Sequence, residues 1–123
     1  GYLAKLDIQP GGGNVVNTKS SGSLPVALLS EKHFDATAMD LSSITIGNDK
    51  KPETPIMMKN NGEFMASFED VNEDGLPDLM MHFNIRELVN NGDLSSDTQA
   101  LKLKGNANNG IWVIAKDIIK VLH

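Results

Sequence analysis

Residues 63–83 read EFMASFEDVNEDGLPDLMMHF. From Glu63 to Glu69 the stretch alternates, with Phe64, Ala66 and Phe68 on one side and Glu63, Met65, Ser67 and Glu69 on the other, the two-residue period of a half-buried strand. After an acidic segment, Leu79, Met81 and Phe83 share one face, opposite Met80, His82 and Asn84, and predict a second strand pairing with the first. Two strands joined by a short polar connection are the unit of an antiparallel sheet, so this stretch sets the fold class.

The rest of the chain fits the same class. Asn61-Gly62, Asn91-Gly92 and Asn109-Gly110 read as turns between strands, because Asn-Gly favours the positive φ of tight hairpins. Tyr2 to Ile8, Leu24 to Leu29, Ser43 to Ile46 and Thr98 to Leu103 read as further strands, while Gly11-Gly12-Gly13 and the polar stretch 47–55, with Pro52 and Pro55, read as loops. Residues 111–122, IWVIAKDIIKVL, have helical spacing at Ile111, Ile114, Ile118 and Leu122 but β-branched enrichment, and strand is the expectation because one more strand extends a sheet directly. The expected fold is all-β, an antiparallel β-sandwich of about seven to eight short strands, with a barrel as its rival.

Composition sets the outer limits. A chain of 123 residues is long enough for one core, so residues 1–123 are expected to be a single domain, a fragment of a larger multidomain protein whose export signal would lie upstream. Hydrophobic residues at 40% and charged residues at 22% indicate a globular chain, and no apolar run reaches the roughly 18 residues of a membrane span, so no membrane insertion is expected. The formal charge of −5, with no face obviously basic from the sequence, argues against nucleic acid as a partner. Zero cysteines exclude disulfides, thiolate zinc sites and a thiol nucleophile.

The acidic segment carries the chemistry. Asp70-x-Asn72-x-Asp74-Gly75-x-x-Asp78 offers oxygen side chains at loop positions one, three, five and nine, glycine at six for the sharp turn, and the backbone carbonyl of Leu76 at seven. Calcium takes six to eight such hard oxygen ligands, whereas zinc prefers nitrogen or sulfur. Position twelve, where a helical EF-hand places a bidentate Glu, is Met81, so the loop is not an EF-hand. Asp78 closes it early, as a connection between strands requires. The alternative is an ordinary acidic turn, since Asp, Asn and Gly all favour turns.

In order, LDIQPGGG (6–13), NTKSSGSLPVALLS (17–30), HFDATAMDLSSITIG (33–47), FEDVNEDGLPDLMMHF (68–83) and GDLSSDTQALKLKG (92–105) resemble a calcium-binding β-sandwich accessory module of large exported bacterial proteins. Its members tend to read IDIKPG, INLKSKGVIPVAIL, FDATTVDPSTVRFG, EDVDGDGDLDLVLHF and GDTEATLTG. The strand-loop-strand calcium sequence alone is shared more widely, including with the FG-GAP repeats of integrin-type propellers; the ordered blocks are the specific part. The resemblance implies an accessory domain with Ca2+ at Asp70, Asn72, Asp74 and Asp78. Gly11-Gly12-Gly13 departs from the usual glycine-serine stretch, Asn72 stands where aspartate is common, and Ile111 to His123 matches weakly.

Other sites are weaker. Asp35 with Asp40, or Asp93 with Asp97, offer a second cation site or, more simply, turn caps. His33, His82 and His123 lack any HxH or HExxH spacing, and Glu63, Glu69 and Glu73 are exposed glutamates rather than a glycosidase pair. No G-x-S-x-G or phosphate loop occurs, and the expectation is that the protein is not an enzyme. Phe64, Phe68 and Phe83 are expected in the core. Trp112 and Tyr2 are the available sugar platforms, with Trp112 read first as a core anchor. The expected function is a structural or adhesive (cell adhesion) module of a secreted, extracellular or cell-surface bacterial protein, with the periplasm as the alternative location. Its partners would be neighbouring domains of the parent chain and a polysaccharide or cell-surface partner. The rival reading is a carbohydrate-binding module attached to a polysaccharide-degrading enzyme.

Overall fold

A computed structural model describes residues 1–48 and 50–123. Residue 49, inside the expected 47–55 loop, lies outside the described residues. The protein is all-β, as the alternation predicts. Its strands are β1 (Tyr2–Ile8), β2 (Val15–Asn17), β3 (Ser23–Leu29), β4 (Thr45–Gly47), β5 (Thr54–Pro55), β6 (Ala66–Glu69), β7 (Asp78–Asn84), β8 (Ala100–Asn106), β9 (Trp112–Ile118) and β10 (Lys120–Leu122), with one short helix, α1 (Ile85–Asn90).

Eight strands form one curled sheet in the order β5-β4-β8-β9-β1-β3-β7-β6, and β10 and β2 make a small second sheet. Most neighbours are antiparallel, as expected, but β1 pairs β9 in parallel, Tyr2 opposite Val113, and β10 pairs β2 in parallel. The parallel seam joins the two ends of the chain. It lies outside the hairpin logic that reads local turns, because parallel neighbours need a long crossover.

The expected strand over 111–122 is present but divided at Ile119. There the backbone N–H of Ile119 donates to the Gln99 carbonyl at 3.0 Å, and the chain passes from the large sheet to the small one. The Asn14 side chain fixes this exit, donating to Asp117 Oδ2 at 2.9 Å and to the Ile118 carbonyl at 2.8 Å.

One contiguous apolar core runs from Ala4 to Ile119, with Leu24, Val26 and Leu28 of β3 and Leu79, Met81 and Phe83 of β7 beside Leu101 and Leu103 of β8. Phe83 is fully buried and Phe64 packs partly against the core. Phe68 departs from expectation: it points to the core face, opposite Leu79, yet is 60% exposed, because β6 is the last strand of the sheet. Trp112 departs as well, at 51% exposed. Val113 and Ala115 are buried, and the strand's alternation therefore sends Trp112, Ile114, Lys116 and Ile118 to the opposite face.

Helix α1 is an addition to the expected elements. Asn84 caps it, accepting from the Glu87 N–H at 3.0 Å, and its Ile85 and Leu88 enter the core. Asn91-Gly92 accordingly ends a helix rather than joining two strands, with Gly92 at φ 76°. Asn61-Gly62 and Asn109-Gly110 do sit in turns as expected; the second joins β8 to β9, closed by Ala107 N–H to the Ile111 carbonyl at 2.8 Å.

Asp7 on β1 has its carboxyl pushed above the ordinary value, first by burial and then by the negative charge of Asp117. A raised carboxyl binds its proton more tightly in the folded than in the unfolded chain. Stability from this group therefore falls as pH rises through the window between the two values, and stays lower above it. Asp7→Asn is expected to raise the melting temperature at neutral pH, with the gain vanishing below the unfolded value near about 3.9. Melting curves of the two proteins across that range check this; a gain independent of pH would contradict the assignment.

Candidate metal centre

β6 and β7 pair antiparallel down to the rung Glu69–Asp78, which leaves residues 70–77 to make the connection. The chain turns there through two left-handed residues, Glu73 at φ 58° and Gly75 at φ 88°. Nothing lies within 4 Å of where a Gly75 Cβ would be, so the demand for glycine is one of backbone conformation, not of space.

Backbone N–H groups hold the carboxylates. Asp70 accepts from the Asp74 N–H at 3.2 Å on Oδ1 and from the Gly75 N–H at 2.8 Å on Oδ2. Asp74 Oδ1 accepts from the Leu76 N–H at 3.0 Å. Asp78 is fully buried, and its two oxygens accept from Val71 N–H at 3.0 Å and Ser30 N–H at 2.8 Å. Ser30 was not singled out from the sequence, yet it ties the loop to the body: its hydroxyl donates to the Pro77 carbonyl at 2.7 Å and accepts from Ala36 N–H at 2.8 Å.

The result is a convergent group of oxygens. One carboxylate oxygen from each of Asp70, Asp74 and Asp78 lies within 4.8 Å of the others, close enough to share one cation; Asp70 and Asp74 are exposed and Asp78 is buried. Asn72 sits between the first two. Turned one way, its NH2 donates to Asp70 Oδ1 at 3.1 Å and to Asp74 Oδ1 at 3.0 Å; turned the other way, its carbonyl oxygen joins theirs. The first orientation suits an empty acidic turn and the second a bound cation, since only a positive charge makes three facing oxygens favourable. Leu76 lies on the same loop, held through its N–H by Asp74. Four of the five residues singled out from the spacing are thus gathered through their side chains.

Asp35, Asp40 and Asp93 have their carboxylates engaged in capping and packing. Asp35 accepts from Thr37 N–H at 2.9 Å, and Asp40 from Ser42 N–H at 3.1 Å, each starting a single 3-10 turn. Asp93 is buried and accepts from the Thr54 hydroxyl at 2.8 Å and the Glu53 N–H at 3.1 Å. His82 Nδ1 is 3.3 Å from the Ser23 hydroxyl. Among the described residues, Asp70, Asp74 and Asp78 are the one acidic or histidine group of three so placed. No family model matches the chain, and no curated protein matches it.

Proposed function

We propose that the protein is a non-catalytic calcium-binding module of an exported bacterial protein, in which the ion orders the connection between β6 and β7 and so stiffens one end of the sheet. The observation that carries this reading is the convergence of single oxygens from Asp70, Asp74 and Asp78 within 4.8 Å on a loop already shaped by backbone amides. The donor set favours calcium, because it consists of carboxylate and amide oxygens with neither imidazole nor thiolate. Asp70, Asn72, Asp74 and Asp78 would supply side-chain oxygens and Leu76 its carbonyl. The ordered sequence blocks described above support an accessory role. Extracellular calcium modules bind at about 10⁻⁴ to 10⁻³ M, which favours a secreted or cell-surface location over the cytosol. Neighbouring domains of the parent chain are its natural partners.

Calcium at about a hundredfold excess over Kd adds about 2.7 kcal/mol to a folded-state site. For a chain of this size that raises the melting temperature on the order of 10 °C. A chelator is expected to remove the shift, and Asp74→Ala to abolish it while leaving the metal-free melting temperature nearly unchanged, because Asp74 is exposed and accepts only within its own loop. Identical curves in calcium and in chelator would sink the reading.

The exposed Trp112 favours a second reading, a carbohydrate-binding module, since sugar CH faces stack on such rings. A polysaccharide pull-down that is lost in Trp112→Ala would support it.

A further inference from the structure

The large sheet has two ends, and they differ. At the β5 end the strand is two residues long, Thr54 is fully buried and Pro55 has no N–H to offer, so a further strand finds little to pair with. At the β6 end the last strand is Ala66–Glu69 and carries no proline. β6 and β7 pair with Ser67 opposite Met80, and the same register sets Met65 opposite His82, whose N–H donates to the Met65 carbonyl at 3.1 Å. Hydrogen-bonded and non-bonded pairs alternate along an antiparallel ladder, so Ser67 and Glu69 direct their backbone groups to β7, while those of Ala66 and Phe68 turn away from it. The Ala66 N–H closes locally on the Phe64 carbonyl at 2.9 Å. That leaves the Ala66 carbonyl and both backbone groups of Phe68 facing the open side of the sheet.

The side chains along this edge are open as well. The exposed Phe68 ring stands on the core face of β6. On the opposite face a hollow of about 190 Å³ lies against the strand, lined by Lys59, Met65, Ala66, Ser67 and His82. Lys59 is exposed and, among the described residues, takes part in no ion pair. Glu69, on the same face as Ser67, is exposed and accepts from the Ser67 hydroxyl at 2.6 Å.

We propose that β6 pairs antiparallel with β6 of a second copy of this chain, about a two-fold axis at Phe68, and so joins two sheets into one. In that register the Phe68 N–H of each copy donates to the Phe68 carbonyl of the other, and each Asp70 N–H donates to the Ala66 carbonyl across the axis. The two Phe68 rings lie side by side on the core face and cover each other. On the outer face Glu69 falls opposite Ser67 of the second copy, beside the hollow that Lys59 lines, and symmetry makes that contact twice. One register thus satisfies the backbone, apolar and charged groups together, which selects a second copy over an unrelated strand. Antiparallel pairing also sends the two acidic 70–77 loops to opposite ends of the joined strands, where they do not confront each other. Because the β5 end is closed, pairing stops at two chains. The proposal goes beyond the calcium reading and does not rest on it, since the ladder to β7 alone sets which groups face outward.

The test is sedimentation velocity of the full chain at fixed calcium, from about 10 μM to about 1 mM, because so short an edge buries an area at the low end of specific interfaces and pairs weakly. A monomer–dimer equilibrium without larger species is expected. Phe68→Pro removes the ring and an N–H that points away from β7, and is expected to give a folded monomer, with the fold checked by melting. Glu69→Lys and Lys59→Glu are each expected to weaken dimerisation about fivefold or more, and the double variant to restore it. Both side chains are exposed, so these variants keep the test decisive if Phe68→Pro does not fold. Amide exchange at Phe68 and Asp70 is expected to slow about tenfold when about nine-tenths of the chain is dimeric. A chain that stays monomeric throughout overturns the proposal. So does a dimer that a folded Phe68→Pro leaves intact, a charge effect that the double variant does not reverse, or growth into open polymers.

Discussion

Gly47→Ala is expected to destabilise the protein by about 3 kcal/mol or more. A Cβ at Gly47 would lie 2.3 Å from Asp93 Cγ, far inside any tolerable contact. Asp93 cannot simply turn aside, because its short side chain is buried and holds three groups at once: the Thr54 hydroxyl at 2.8 Å, the Glu53 N–H at 3.1 Å and the Asn48 amide at 3.4 Å. Moving it strips the acceptor from the buried Thr54 hydroxyl as well as from the Glu53 and Asn48 donors, and frees the segment that β5 closes. If this account is right, Gly47→Ala adds under about 1 kcal/mol in an Asp93→Ala background, since the clash partner and the network are already gone. Denaturant melts of the two single variants and the double variant measure this. Full additivity would contradict it.

Asp78→Ala is expected to remove roughly 3–5 kcal/mol, with calcium or without it. Its carboxylate is fully buried and accepts one backbone N–H from the loop, Val71, and one from the body of the protein, Ser30, so its loss leaves both donors unpaired. The contrast with Asp74→Ala is the informative part. Asp74 shapes only its own turn, and its removal is expected to erase the calcium response while sparing the metal-free fold. Asp78 would belong to both the cation site and the frame that holds it. Melting each variant in calcium and in chelator separates the two roles; equal behaviour of Asp74→Ala and Asp78→Ala would contradict the division.

The legible parts of the structure were those written in local periodicity. Residues 2–8 alternate, and β1 spans Tyr2–Ile8; residues 79–83 alternate, and β7 carries them with Asp78 at its start. The convergence of Asp70, Asn72, Asp74 and Asp78 was legible because a short loop with glycine at its sixth position has few ways to arrange its oxygens. What escaped was non-local or ambiguous. The β1–β9 seam pairs residues more than a hundred positions apart, and no local signal announces it. On β9 both faces carry apolar residues, so alternation alone could not say whether Trp112 or Val113 points inward. Helix α1 is six residues long, too short for a 3.6-residue period to show, although Asn84 with Glu87 three positions on is a capping signal that was there to be read.

These elements divide the molecule's work. The β6–β7 connection is a place where charge is concentrated and backbone donors limit how far it can spread. The edge of β6 beside it turns the backbone groups of Phe68 away from β7.

The most direct test of the calcium claim is an anomalous difference map from crystals grown with calcium. The account predicts one peak between Asp70, Asp74 and Asp78, about 2.3–2.6 Å from their oxygens, with the Asn72 carbonyl turned toward it. A map without that peak, in which the Asn72 NH2 still bridges Asp70 and Asp74, would contradict it.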